Sequence, residues 1–351
     1  MLGYTNDLAS SLLVSLNEIK GHREEIRSKL AKRDLLLDSS DLIGASQSPT
    51  CSGVDGSYAI ERLVTTDLVV AAALAVEGLT PPSEKRFWPH PHHKVITKVV
   101  PHNDATSLVV RALMIAMEIE LAARAPHDVT FIDGSMVTPV IYLNQGLSNL
   151  WNAPVALSEQ LSSIQDSTVN SYSEILRGEK SDKAHVAVPK YTSKREIANV
   201  LEMPDYEDRG LLTFVLRPGE LTKPMEMEPP SQPYHLPVKS PDLDSLLRNV
   251  QILYYRPYGH IPPLRLEVPP AIATNSRRLA LVLEAVRLQC GSPGMFEPYP
   301  LYLADRMAKH LAVALPAIRR ATTQQMASAW PDDIGDVYLS MHGYRTENGA
   351  S

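Results

Sequence analysis

The sequence predicts an α/β protein, a mixed sheet flanked by helices, and three observations carry the prediction. Residues 50–135 run in the order strand, strand, strand, helix, strand. From residue 148 onward, stretches of helical periodicity alternate with short β-branched segments. The 351 residues are 44% hydrophobic and 21% charged, the balance of a chain that buries a core, and at about 150 residues per domain they make one large or two modest domains. Charge narrows the function: 34 Lys+Arg less 40 Asp+Glu leaves −6, so no global basic field attracts nucleic acid, and any such site is local or metal-assisted. Cys51 and Cys290 are too few for a disulfide framework or a paired-cysteine zinc site and point to a reducing compartment. The start, Met1-Leu2-Gly3-Tyr4, has no basic n-region, so a cytoplasmic location is expected. The longest apolar run, Leu68 to Val76, has nine residues against the roughly 20 of a spanning helix, so no membrane association is expected.

Each element has a local reason. Residues 7–36 place Leu8, Leu12, Leu16, Ile19, Ile26 and Leu30 at helical spacing with basic residues between, which predicts one long amphipathic helix and an N-terminal unit of residues 1–40. Val54-Asp55-Gly56-Ser57 precedes the small and β-branched run Asp67 to Val76, a buried strand, and Lys94 to Val100 alternates as another. Phe87 to His93, broken by prolines, is a loop. Ser107 to Arg124 is free of Gly and Pro and rich in Ala, Leu and Met, so it is a helix, which Pro126 ends. Val129 to Asp133 is a short strand finishing on an acid and a Gly-Ser turn. Ser148 to Lys183 is helical, Ala184 to Val188 a strand, and Pro218 to Pro241 a loop or excursion. Gln251 to Tyr255 and Leu264 to Val268 are neighbouring strands; Asn275 to Gln289 and Pro300 to Arg320 are helices. A main domain of residues 41–325 then leaves 326–351 as a loosely ordered tail.

The chemistry concentrates in acids. Asp55 and Asp133 each stand in an Asp-Gly-Ser after an apolar strand, and paired strands bring two such acids together. One Asp-Gly alone is usually a turn; the repetition, with an acid-bearing helix between, is what points to a site. On that helix, 100° per residue puts Glu120 on the stripe of Val109, Leu113, Ala116 and Met117, and Glu118 opposite with Arg111 and Met114. An acid facing a core is costly unless it is paired or binds a metal, which favours Glu120; for either glutamate the plainer reading is a solvated residue, or for Glu118 a surface pair with Arg111.

Asp, helix Glu, then Asp on a later strand is the acid order of the ribonuclease H-like fold, and the chain resembles the NurA family, the nuclease of the HerA–NurA DNA end-processing system. The resemblance rests on Val54-Asp55-Gly56-Ser57, on the Glu-bearing helix before Phe131-Ile132-Asp133-Gly134-Ser135, on Leu264-Arg265-Leu266-Glu267-Val268-Pro269, and on Tyr299-Pro300-Leu301-Tyr302-Leu303-Ala304-Asp305-Arg306. It implies a metal-dependent DNA nuclease in which Asp55, Asp133, Glu118 or Glu120, and Asp305 hold Mn²⁺ or Mg²⁺. Many members carry Ala-His where this chain has Ala304-Asp305, so the fourth ligand here is a carboxylate or is lost. Carboxylates suit hard divalent ions, and two ions about 4 Å apart can clamp the attacking and leaving oxygens of a phosphodiester. The resemblance also implies a homodimer and a HerA-like hexameric ATPase as partner, in DNA end processing or phage defence.

Other constellations are weaker. His90, His92, His93 and His102 have metal-compatible spacings but sit among prolines, and an exposed loop explains them as well. Between Arg177 and Arg195 six Lys/Arg against two acids give a local +4, in which Lys190, Lys194 and Arg195 could hold a phosphate backbone. Tyr254, Tyr255 and Tyr258 could stack on unpaired bases, although aromatics at strand spacing more often pack. Two rival functions stand beside the nuclease: a catalytically weak DNA-binding or ATPase-adaptor subunit on the same fold, and a phosphohydrolase of small substrates. Retention of both Asp-Gly-Ser acids argues against the first, and the absence of a Gly-rich nucleotide loop against the second.

Overall fold

The computed structural model describes residues 2–44, 48–79, 92–239 and 243–349. The chain opens with α1 (Leu2–Gly21), α2 (Arg23–Lys32) and β1 (Leu36–Asp38). Then come β2 (Cys51–Leu63), β3 (Asp67–Glu77), β4 (His93–Val100), α3 (Thr106–Arg124) and β5 (Val129–Asp133). Next are α4 (Thr138–Ser148), α5 (Val155–Arg177) and β6 (Ala184–Val188), followed by an excursion with α6 (Glu196–Val200), α7 (Asp208–Val215), β7 (Glu220–Thr222), β8 (Met225–Glu226) and α8 (Leu243–Arg248). The chain closes with β9 (Gln251–Tyr255), β10 (Leu264–Val268), α9 (Pro270–Ala273), α10 (Ser276–Gln289), α11 (Tyr299–Ala329), α12 (Ile334–Ser340) and β11 (Gly343–Gly349).

All described strands join one sheet in the order β1-β7-β9-β10-β6-β5-β2-β3-β4, with β8 on β9 and β11 on β2. β2, β3 and β4 pair antiparallel, whereas β2–β5 and β5–β6 are parallel. Three antiparallel strands followed by two parallel ones, in the order β4-β3-β2-β5-β6, is the ribonuclease H-like arrangement that the acids implied. Alternate residues of β5 and β6 feed two cores: Phe131 and Val186 pack with Val282, Leu283 and Leu301 of α10 and α11, while Ile132 and Ala187 face the core of α3, α4 and α5. Each fully buried Leu or Val contributes roughly 1.5–3 kcal/mol to that packing. Strands covered on both faces are apolar throughout, as β3 is; β4, at the sheet edge, alternates exposed and half-buried residues.

The ends of the chain differ from expectation. Residues 7–36 do not form one helix: the helix breaks at Gly21-His22, where glycine costs about 1 kcal/mol of helix propensity. α2 then turns inward to bury Ile26 and Leu30 and to pair Arg27 with Glu220 at 2.6 Å, and Leu36 already belongs to β1. Of the tail expected over residues 326–351, the described part to Gly349 is regular: α11 runs to Ala329 and β11 adds to the sheet, Gly349 opposite Tyr58 of β2. The excursion Pro218 to Pro241 supplies two short strands, β7 and β8. Most of the loop expected over residues 87–93 lies outside the described residues. No described helix is long and apolar enough to cross a membrane.

Candidate metal centre

Asp55 sits within β2, not at its end. Among the described residues, β5 pairs with β2 from Cys51 to Val54 and β11 pairs with β2 from Tyr58 onward. Asp55, Gly56 and Ser57 therefore lie in a split on one edge of β2, while their other edge stays paired to β3. Two glycines let neighbours approach this stretch. A Cβ at Gly53 would stand 2.5 Å from the backbone of Pro300 and Leu301 at the start of α11, and one at Gly56 would stand 2.5 Å from Glu118 Oε1. Ser57 donates its hydroxyl to the carbonyl of Ala308, which ties α11 to β2 one turn past Asp305.

Asp133 ends β5. Gly134 follows at φ +77°, a conformation that glycine adopts without cost, and donates its N–H to Asp133 Oδ1 at 2.9 Å. The next turn is held by Glu267 of β10, whose Oε2 accepts from Ser135 Oγ at 2.6 Å and from the Met136 N–H at 2.8 Å. Arg265 in turn donates to Glu267 Oε1 at 2.8 Å and to both oxygens of Glu196 at 2.9 and 3.0 Å. All three charged residues are buried, so each is acceptable only because the others satisfy it.

Carboxylate oxygens of Asp55, Asp133 and Asp305 lie within 4.8 Å of one another. Lys190, just past β6, puts its ammonium 3.1 Å from Asp133 Oδ2, 3.1 Å from Asp305 Oδ1 and 3.2 Å from Glu297 Oε2. Lys309, one turn along α11, reaches Asp305 Oδ1 at 2.8 Å and Oδ2 at 2.9 Å. Burial, then the charge of Asp133, pushes the Asp55 carboxyl up to about 8. Burial and the charges of Asp55 and Asp133 hold Glu118 well above the usual carboxylate range. Burial also raises Glu297, whereas the hydrogen bonds from Lys309 and Lys190 outweigh burial at Asp305 and hold it low. Hard oxygen donors, a buried acid that resists ionisation alone and a cation already drawn among them fit a divalent ion.

The helix geometry favours Glu120, but Glu118 is the one that the fold buries near Asp55. Glu118 is the buried acid beside Asp55, while Glu120 points away from it and pairs with Lys94 and, at 2.7 Å, with Arg124. The stripe argument fails because α3 is buried on both sides, so an apolar stripe does not mark one inward face. Arg111 is engaged elsewhere, donating to Tyr58 Oη at 3.0 Å. Glu297, which sequence reading missed, lies in the irregular stretch before α11, where no periodicity singles it out.

The residues expected to meet nucleic acid scatter. Lys190 turns inward among the acids, Lys194 lies 3.9 Å from Glu228, and the exposed Arg195 donates to the Pro204 carbonyl at 2.7 Å. Tyr254 is no stacking platform: it is fully buried, and Arg265 donates to its hydroxyl at 3.2 Å. Tyr255 is likewise buried and only Tyr258 is partly exposed. His102 accepts a structural role, 2.7 Å from Asp67.

Strand order and an acidic centre where the parallel strands end define the class, a ribonuclease H-like α/β fold. Within that class the fold is NurA-type. The chain superposes on the crystal structure of the NurA nuclease from Sulfolobus solfataricus with a TM-score of 0.54 at 14% identity, covering 92% of this chain and 98% of that one. A structure of NurA bound to dAMP and manganese gives 0.46 at 15% identity over 86% and 92%, and an endonuclease V from Bacillus subtilis gives 0.34 at 13% over 80% and 91%. No family model and no curated protein matches the sequence.

Proposed function

We propose that this chain is a divalent-metal-dependent deoxyribonuclease of the NurA type. One observation carries the reading: Asp55, Asp133 and Asp305, distant in sequence, converge within 4.8 Å at the split in a NurA-type sheet, with Glu118 behind them. These four acids are the candidates to hold Mn²⁺ or Mg²⁺. A divalent ion bound there supplies Lewis-acid chemistry, polarising the phosphodiester and acidifying water. The chain's own part is to orient: Gly56 and Gly134 fix the carboxylates of Asp55 and Asp133 by N–H bonds at 2.8 and 2.9 Å, and Lys190 offers positive charge where a phosphate would enter. The expected product ends in a 5′ phosphate. Single-stranded DNA should be digested by the purified chain with Mn²⁺ or Mg²⁺ and left intact in excess chelator; digestion unaffected by chelator overturns the reading.

The wider role follows the NurA likeness: a cytoplasmic homodimer that works with a HerA-like hexameric ATPase on DNA ends, in repair or phage defence. The support in this chain is α1, whose Leu8, Leu12 and Leu13 are 63%, 64% and 57% exposed, an apolar strip suited to a partner surface. A net charge of −6 also makes a DNA-moving partner useful, since the chain does not gather DNA by its own field.

A further inference from the structure

The carboxylates of the centre are not equally available. Asp305 is engaged on both oxygens: Lys309 reaches Oδ1 at 2.8 Å and Oδ2 at 2.9 Å, and Lys190 reaches Oδ1 at 3.1 Å. Glu297, outside the converging group, holds Lys190 from another side at 3.2 Å. The backbone of Lys190 is also fixed, because Arg209 donates to its carbonyl directly past the end of β6. By contrast, the described partner of the Asp55 carboxylate is the Gly56 N–H, while Asp133 keeps its Oδ1 on the Gly134 N–H and meets Lys190 through Oδ2 at 3.1 Å, with no second lysine on it among the described residues. The ammonium of Lys190 is thus built into the centre by Asp305 and Glu297, and Asp133 is the carboxylate it shares with the candidate ligands.

Resting on the metal-centre reading above, we propose that Lys190 is the second cation of the site. The chain then takes one divalent ion, on Asp55, Asp133 and Glu118, and Asp305 and Glu297 serve as anchors of Lys190 and not as metal ligands. Two like charges beside each other in a partly buried pocket repel strongly, so a second dication next to this ammonium is disfavoured. The arrangement supplies two positive charges to a phosphate from one exchangeable ion and one fixed side chain. It replaces the two-ion centre expected from the acid pattern, and it explains why an aspartate between two lysines stands at position 305.

The test is the count of Mn²⁺ ions per chain, read from loss of the free-Mn²⁺ electron paramagnetic resonance signal during titration with Mn²⁺ alone. Wild type should bind one ion, Lys190→Met two, and Lys190→Arg one. Asp305→Asn should still bind its single ion, whereas Asp55→Asn should lose it. Two ions on the wild type, or one on Lys190→Met, overturns the role of Lys190 and leaves the metal centre standing. Loss of the single ion in Asp305→Asn makes Asp305 a ligand and overturns its role as an anchor. Absence of Mn²⁺ binding in wild type and variants alike overturns the metal centre itself. If Lys190→Met does not fold, Lys190→Gln and the wild-type count decide.

Discussion

The two Asp-Gly-Ser repeats perform different tasks with the same residues. Gly134 is a turn glycine at positive φ, whereas Gly56 is a strand glycine whose missing side chain admits Glu118. Asp133 is legible because it ends an apolar strand, and Asp55 because the same Asp-Gly-Ser recurs there, although Asp55 lies within β2. The choice between Glu118 and Glu120 is not legible, because it depends on which neighbours cover α3. We expect Glu118→Gln to lower nuclease activity by at least about 100-fold, as loss of a group at developing charge does, and Glu120→Gln to stay near wild type; the reverse order in initial rates would return the site to the stripe argument. The raised acids also set a pH dependence. Asp55, at about 8 against an ordinary 3.8, and Glu118 bind protons more readily folded than unfolded, so metal-free stability falls as pH rises toward about 8. His185, pushed down to about 4 by burial, acts oppositely, but only below its ordinary 6.5. Between about pH 6.5 and 8 the melting temperature of the metal-free chain should therefore fall, and Asp55→Asn should flatten the slope. A rising curve in wild type contradicts the assignment.

At the scale of elements, the sequence was most legible where a segment meets one environment. β9 and β10 match their alternating patterns, and β3 its apolar run. Helix ends and the excursion were not, since β7 owes its existence to partners on β1 and β9, and β8 to partners on β9, and both carry little signal themselves. The Glu196–Arg265–Glu267 array joins α6, β10 and the turn after Asp133, so it connects stability to the site. Removing its centre leaves two buried carboxylates without their cation, and Arg265→Met should cost about 3–5 kcal/mol in urea unfolding. A loss under about 1 kcal/mol would mean that the array is not what holds the turn.

For the whole molecule, the acid order foretold the strand order, while the ends of the chain escaped because both are fixed by distant contacts. α2 is anchored to the core through Ile26 and Leu30, so a docking test must remove α1 alone. Deletion of residues 1–21 should weaken the complex with a HerA-like ATPase more than it weakens single-strand cleavage by the isolated chain, as measured by co-sedimentation and by nuclease rate. Equal binding by the truncated chain would remove α1 as the docking element. The central claim, that the carboxylates of β2 and β5 hold the ion that cleaves DNA, meets its most direct test in one comparison: digestion of a single-stranded oligonucleotide in Mn²⁺ by wild type and by Asp133→Asn, each shown to be folded. The account predicts digestion by wild type and near-complete loss in the variant. Equal digestion by the two would contradict it and place the chemistry elsewhere.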